Sequence, residues 1–179
     1  MKRIIALALT VLIVAGSAFA LSSCSKNQKN NDESTTAAEA STEPATVSAK
    51  ISKAEIYVTY NTADYTYDED LAQISSKDGN AYLYAKGLDE SELGARRDSF
   101  NALENNDKLK NVYYSQLQLG ENTAQTAVYT DGKGFYKRYF IELATPTSEL
   151  YGIEIQTNLG SDKTPEYDFD EMVKSLEIK

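Results

Sequence analysis

An α+β domain, an antiparallel sheet flanked by two helices, is the fold class predicted for this 179-residue chain, and three observations carry the prediction. Apolar residues recur with period two along most of the C-terminal part, and with period near 3.6 only around 89–104 and 168–176. Clusters of Gly, Asn, Asp, Pro and Ser separate the period-two segments at hairpin spacing. All 13 Tyr, and every Phe except Phe19, lie within residues 54–179. Those 126 residues make one domain by size, long enough to bury about two-thirds of the unfolded surface without a disulfide or metal.

The segment before the domain reads as an export signal. Lys2 and Arg3 precede the uncharged apolar run Ile4–Ala20, which carries Thr10, Gly16 and Ser17 and is shorter than the ~20 residues of a spanning helix. Residues 1–23 are therefore expected to be removed. Leu21-Ser22-Ser23-Cys24 resembles the lipobox of bacterial lipoproteins, and Cys24 is the single Cys of the chain. The resemblance implies a diacylglycerol thioether on Cys24, which becomes the new N-terminus and is often N-acylated. The expected location is the extracytoplasmic face of the cell membrane, lipid-anchored, since several acyl chains hold a protein where one alone is reversible. Residues 24–53 contain 9 Ser/Thr, no aromatic, and only Val47 and Ile51 as sizeable aliphatics. They read as a disordered, nearly neutral tether of about 30 Å reach, from ~5–6 Å × √n.

Within the domain, Ala54–Asn61 alternates Ile56, Val58 and Tyr60 against Glu55, Tyr57 and Thr59, the mark of a strand. A second extended piece, Asp64–Ser75, is expected to pair with it, and Asp78-Gly79-Asn80 turns the chain into a short strand at Ala81–Lys86. Asp89 is placed to cap a helix reaching about Glu104, with Glu92 three residues on and Leu93, Phe100 and Leu103 on one side. Arg96, Arg97 and Asp98 form its solvated flank, and Asn105-Asn106-Asp107 ends it. Four strands follow, Asn111–Leu119, Gln125–Thr130, Phe135–Ala144 and Leu150–Leu159, in an antiparallel meander. In the last, Tyr151, Ile153, Ile155, Thr157 and Leu159 face the core, and Glu154, Gln156 and Asn158 face water. Asp168 then caps a terminal helix that presents Phe169, Met172, Val173 and Leu176 to the sheet.

This order of elements, with the closing Phe169-x-x-Met172-Val173-x-Ser175-Leu176-x-Ile178 pattern, resembles the PsbP-like superfamily over about 54–179. The superfamily includes extrinsic photosystem proteins and many bacterial lipoproteins. The resemblance implies an αβα sandwich and a largely non-enzymatic assembly or accessory role. It carries over no functional residue, because no functional motif matches.

Composition narrows the chemistry. The chain has no His, which excludes His metal sites, His bases and Ser-His-Asp catalysis, and its one Cys makes neither an intramolecular disulfide nor a redox pair. Residues 54–179 hold 12 Lys/Arg against 23 Asp/Glu, a net charge of −11 that repels nucleic acid. The acidic runs Asp68-Glu69-Asp70 and Glu166, Asp168, Asp170, Glu171 lack calcium-loop spacing, Asp131-Gly132-Lys133-Gly134 is a hairpin turn, and Ser75-Ser76-Lys77 a polar turn. No metal site, cofactor or catalytic residue is assigned. The candidate partner-binding residues are Tyr57, Tyr60, Tyr65, Tyr67, Tyr82 and Tyr84, more rings than one face of a few short strands can bury. The expected protein is a monomeric, non-enzymatic binding or accessory module, with an envelope protein or glycan as partner. The alternative is a carboxylate-dependent cell-envelope hydrolase.

Overall fold

Period-two segments become strands here because each finds a partner that satisfies its backbone while one row of side chains is buried. A computed structural model describes residues 45–147, 149–161 and 165–179. The expected signal 1–23, Cys24 and the tether up to residue 44 lie outside the described residues. In chain order the elements are β1 (Thr46–Ser52), β2 (Ile56–Asn61), β3 (Tyr65–Asp68), β4 (Gln73–Ser76), β5 (Ala81–Leu88), α1 (Glu90–Asn101), β6 (Lys110–Leu119), β7 (Asn122–Thr130), β8 (Phe135–Glu142), β9 (Gly152–Leu159), α2 (Asp170–Lys174) and β10 (Glu177–Ile178). A 3₁₀ turn, Leu103–Asn105, follows α1.

Seven strands form one antiparallel sheet in the order β3-β4-β5-β9-β8-β7-β6, and three form a second in the order β1-β2-β10. The class is thus α+β, mostly antiparallel sheet with two helices. On one face of the large sheet, Ile74, Leu83, Ile153, Ile155, Tyr139 and Ile141 meet Ile51, Ile56 and Val58 of the small sheet and Phe169 and Val173 of α2. On the other face Phe100 and Leu103, from α1 and the turn after it, pack on Leu88, Ala127 and Phe140. Among the described residues no helix is long and apolar enough to cross a membrane.

Four expectations are corrected. The fold starts at Thr46 rather than near residue 54: β1 pairs with β2 from Thr46↔Asn61 to Ser52↔Ile56 and fully buries Ile51. Residues 65–76 do not pair with β2; they form the β3–β4 hairpin, which adds to β5 at the edge of the large sheet. The terminal helix spans only Asp170–Lys174, with Phe169 at its N-cap and no side-chain cap bond. Asp168 accepts the Asp170 N–H at 2.9 Å, and Leu176 lies past the end, half-buried. The face of β9 expected to be wet is covered at Glu154, because α1 crosses it and brings Arg96 to 3.5 Å from that carboxylate. Arg97 is likewise paired, to Glu142 at 2.5 Å. At the start of α1 Asp89 accepts the Glu92 N–H at 2.9 Å, as the sequence predicts. The Glu92 side chain pairs with Lys86 instead of returning to the cap.

Candidate functional site

The face of the large sheet that carries α1 has a regular grid. Pairing across β5, β9, β8 and β7 aligns Tyr82, Asn158, Tyr136 and Tyr129 in one row and Tyr84, Gln156, Arg138 and Ala127 in the next. A third row holds Lys86, Glu154, Phe140 and Gln125. α1 lies over this third row, held by Phe100 against Phe140 at 5.8 Å and by the Arg96–Glu154 and Arg97–Glu142 pairs. Gly152 allows that approach, since a Cβ there would sit 2.6 Å from Leu93 Cδ1 and 2.8 Å from the Ile141 carbonyl oxygen. Among the described residues α1 and the turn after it are the elements packed on this face; they bury Ala127 and border Tyr129, and leave the rest of the first two rows uncovered.

Two stacked ring pairs bracket the uncovered rows. Tyr82 and Tyr84 stand 6.1 Å apart at 28°, and Tyr129 and Tyr136 stand 5.7 Å apart at 23°. With adjacent strands about 4.8 Å apart, the span from β5 to β7 is about 14 Å. Between the pairs lie Gln156, Asn158 and Arg138, all half-buried. The Tyr84 hydroxyl donates to Gln156 Oε1 at 2.7 Å, which commits that carbonyl and leaves the amide N–H groups as donors. Burial pushes the Tyr84, Tyr129 and Tyr136 phenols above their ordinary value, so at neutral pH each keeps its hydroxyl proton.

Beneath this surface Arg138 pairs with Glu154. Burial holds the guanidinium below its ordinary value, with the nearby Tyr129 and Tyr84 acting the other way. A guanidinium so far above neutrality stays charged all the same. On the same face, between the end of α1 and strands β6 and β7, opens a cavity of about 550 Å³ lined by Phe100, Asn101, Glu104, Tyr114, Gln116 and Gln125. Its size suits a small ligand or one residue of a longer one. Tyr114 closes one wall, its hydroxyl 3.1 Å from the Phe100 carbonyl oxygen.

The six Tyr named from the sequence do not form one surface. Tyr82 and Tyr84 belong to the open grid. Tyr60, Tyr65 and Tyr67 rim the core on the opposite face, Tyr65 against Phe169 at 5.6 Å and Tyr67 donating to the Lys50 carbonyl at 2.5 Å. Tyr57 lies on β2, its hydroxyl donating to Glu55 at 2.7 Å and its ring 4.6 Å from Lys179 Nζ. The rings split because β2 and β3 belong to different sheets and alternate residues point to opposite faces. Tyr129, Tyr136, Arg138, Gln156 and Asn158 complete the grid and were not among the candidates. The signal for them was present in the polar alternation of 154, 156 and 158, but it needed the register with β5 and β8 to be usable.

Among the described residues no three His, Cys, Asp or Glu side chains converge on a metal-sized site. Asp170, in one of the acidic runs, is engaged by Lys137 Nζ at 2.6 Å and the Tyr139 hydroxyl at 2.7 Å. No family model, curated protein or solved structure matches the chain.

Proposed function

We propose that this chain is a lipoprotein attached through Cys24 to the extracytoplasmic face of the cell membrane, and that its PsbP-like αβα domain binds an envelope glycan without catalysis. The anchor rests on Leu21-Ser22-Ser23-Cys24, and the fold reading on α1 and α2 packing on opposite faces of one antiparallel sheet. The observation that carries the binding role is the pair of stacked Tyr sets bracketing Gln156, Asn158 and Arg138 on an uncovered sheet face. Tyr rings offer flat apolar area to the C–H face of a sugar at little entropic cost, while amides, phenols and a guanidinium bond its hydroxyls. The domain charge of −11 favours a neutral or amine-bearing glycan over an anionic one.

The test is co-sedimentation with insoluble cell-wall polysaccharide. Tyr82→Ala and Tyr136→Ala should each weaken binding about tenfold, the loss of one aromatic anchor. Tyr57→Ala, on the small sheet, should leave it unchanged. Equal binding by all three variants would refute the assignment of this face.

A further inference from the structure

We propose that β6 is a self-association edge, at which two copies of this chain join their large sheets into one, whatever the open face binds. The two edges of the sheet differ. β3 has four residues and runs into Asp68-Glu69-Asp70, a short charged edge of the kind that discourages strand addition. β6 has ten, and from Asn111 to Leu119 (NVYYSQLQL) it contains no charge, Gly or Pro. Its irregularity is confined to the start, where Asn111 has φ +55 and the register shifts between Lys110 and Tyr113. From Tyr113 to Leu119 the pairing with β7 is continuous, and among the described residues no other strand borders it.

Hairpin geometry fixes which backbone groups this edge offers. The two-residue turn Gly120-Glu121, with Gly120 at φ +57, closes β6 on β7 at the Leu119↔Asn122 pair. Bonded and non-bonded pairs alternate back from there, which turns the N–H and C=O groups of Tyr114, Gln116 and Gln118 away from β7. An antiparallel partner with the two-fold axis at Gln116 uses all three. Tyr114 then faces the partner's Gln118, and Gln116 faces the partner's Gln116.

A second copy fits this edge in side chains as well as backbone. The same register sets Tyr113, the most exposed large apolar side chain among the described residues at 69%, opposite the partner's Leu119, which is half-buried in one copy. Ser115 meets the partner's Leu117. Between Tyr113 and Leu119 neither copy carries a charge, so the pairing brings no like charges together within the strand. The interface is isologous and closes on itself, so it yields a dimer and not a fibre. With the axis perpendicular to the sheet, the two Tyr-bearing faces lie on one side.

The test is sedimentation velocity of the full chain in detergent, with micelles in excess over protein, across a concentration series. A reversible dimer is expected. Gln116→Lys sets two ammonium groups across the axis and should raise the dimer dissociation constant at least tenfold, with unchanged far-UV circular dichroism and melting temperature. Gln116→Cys should form a disulfide-linked dimer under mild oxidation, because bonded pairs hold their Cα atoms about 5.5 Å apart, within disulfide range. Thr66→Cys, on the β3 edge, should not. A monomer at every concentration, a dimer indifferent to Gln116→Lys, or cross-linking through position 66 in place of 116 would overturn the proposal.

Discussion

Glu154 carries the one buried carboxylate among the described residues, 2% exposed, and charge is stable there only because two Arg answer it. Arg138 comes from the neighbouring strand and Arg96 from the helix above, so the group ties α1 to the sheet and aims a guanidinium into the Tyr grid. The arrangement is not fully satisfied: Arg138 Nε and Glu154 Oε2 have no hydrogen-bond partner. A buried pair is costly to form and costlier to break from one side, since the survivor stays buried and unanswered. Glu154→Gln should therefore lower stability by about 3–5 kcal/mol in urea unfolding. Adding Arg138→Met to Glu154→Leu should recover most of that loss. A loss under about 0.5 kcal/mol for Glu154→Gln, typical of exposed positions, would mean that the pair holds nothing together.

At the scale of the element, β1 and α2 show what the sequence conveyed and what it withheld. Strands such as β2 and β9, whose alternation sets large apolar residues against polar ones, were legible, as was the Asp89 cap, because those signals are local: a period, or a side chain reaching its own backbone. β1 was not. Its alternation is Val47, Ala49 and Ile51 set among Ser, Thr and Lys, weak until β2 supplies backbone partners and the large sheet covers Ile51. Ile51→Ala should cost about 2–5 kcal/mol, measured by denaturant unfolding, as a buried large-to-small change. An effect under about 0.5 kcal/mol would return residues 46–52 to the tether. In α2 the apolar pattern did mark burial, of Phe169, Met172 and Val173, but not length. Ser175 donates to the Met172 carbonyl at 2.6 Å and accepts the Thr59 N–H at 2.8 Å, a local bond and a tertiary one that replace a further helical turn. The Tyr grid stayed hidden for the same reason as β1: register between β5 and β9, about seventy residues apart, is set by the fold and not by either segment.

Across the whole molecule, the last thirteen residues close both sheets. Tyr167 reaches the β4–β5 turn at Asp78, Asp170 reaches β8 through Lys137 and Tyr139, and Lys179 N–H donates to the Glu55 carbonyl at 3.1 Å. Hydrogen bonds from Ser76 and Tyr167, each at 2.5 Å, and from the Asn80 N–H hold the Asp78 carboxyl well below the usual carboxylate range. A carboxylate depressed by folding contributes stability above its unfolded value, about 3.9, and loses it as pH falls toward the folded value. Asp78→Asn should thus lower the melting temperature at pH 7, and the gap to the parent should narrow steadily below about pH 4. A gap of equal size at pH 7 and pH 2.5 would show that the charge of Asp78 does not tie the C-terminal segment down. β1 gives the molecule a further, mechanical property. The chain before residue 45 joins the fold at an edge strand whose entry is clasped by Thr62, with N–H at 3.0 Å and Oγ1 at 2.9 Å on the Ala45 carbonyl. Tension arriving along that chain is borne first by this clasp and then by the β1–β2 ladder. A pull across the strands would unzip the ladder pair by pair, a pull along β1 would have to shear every pair at once, and the force at which the domain yields would depend on the direction from which it is pulled.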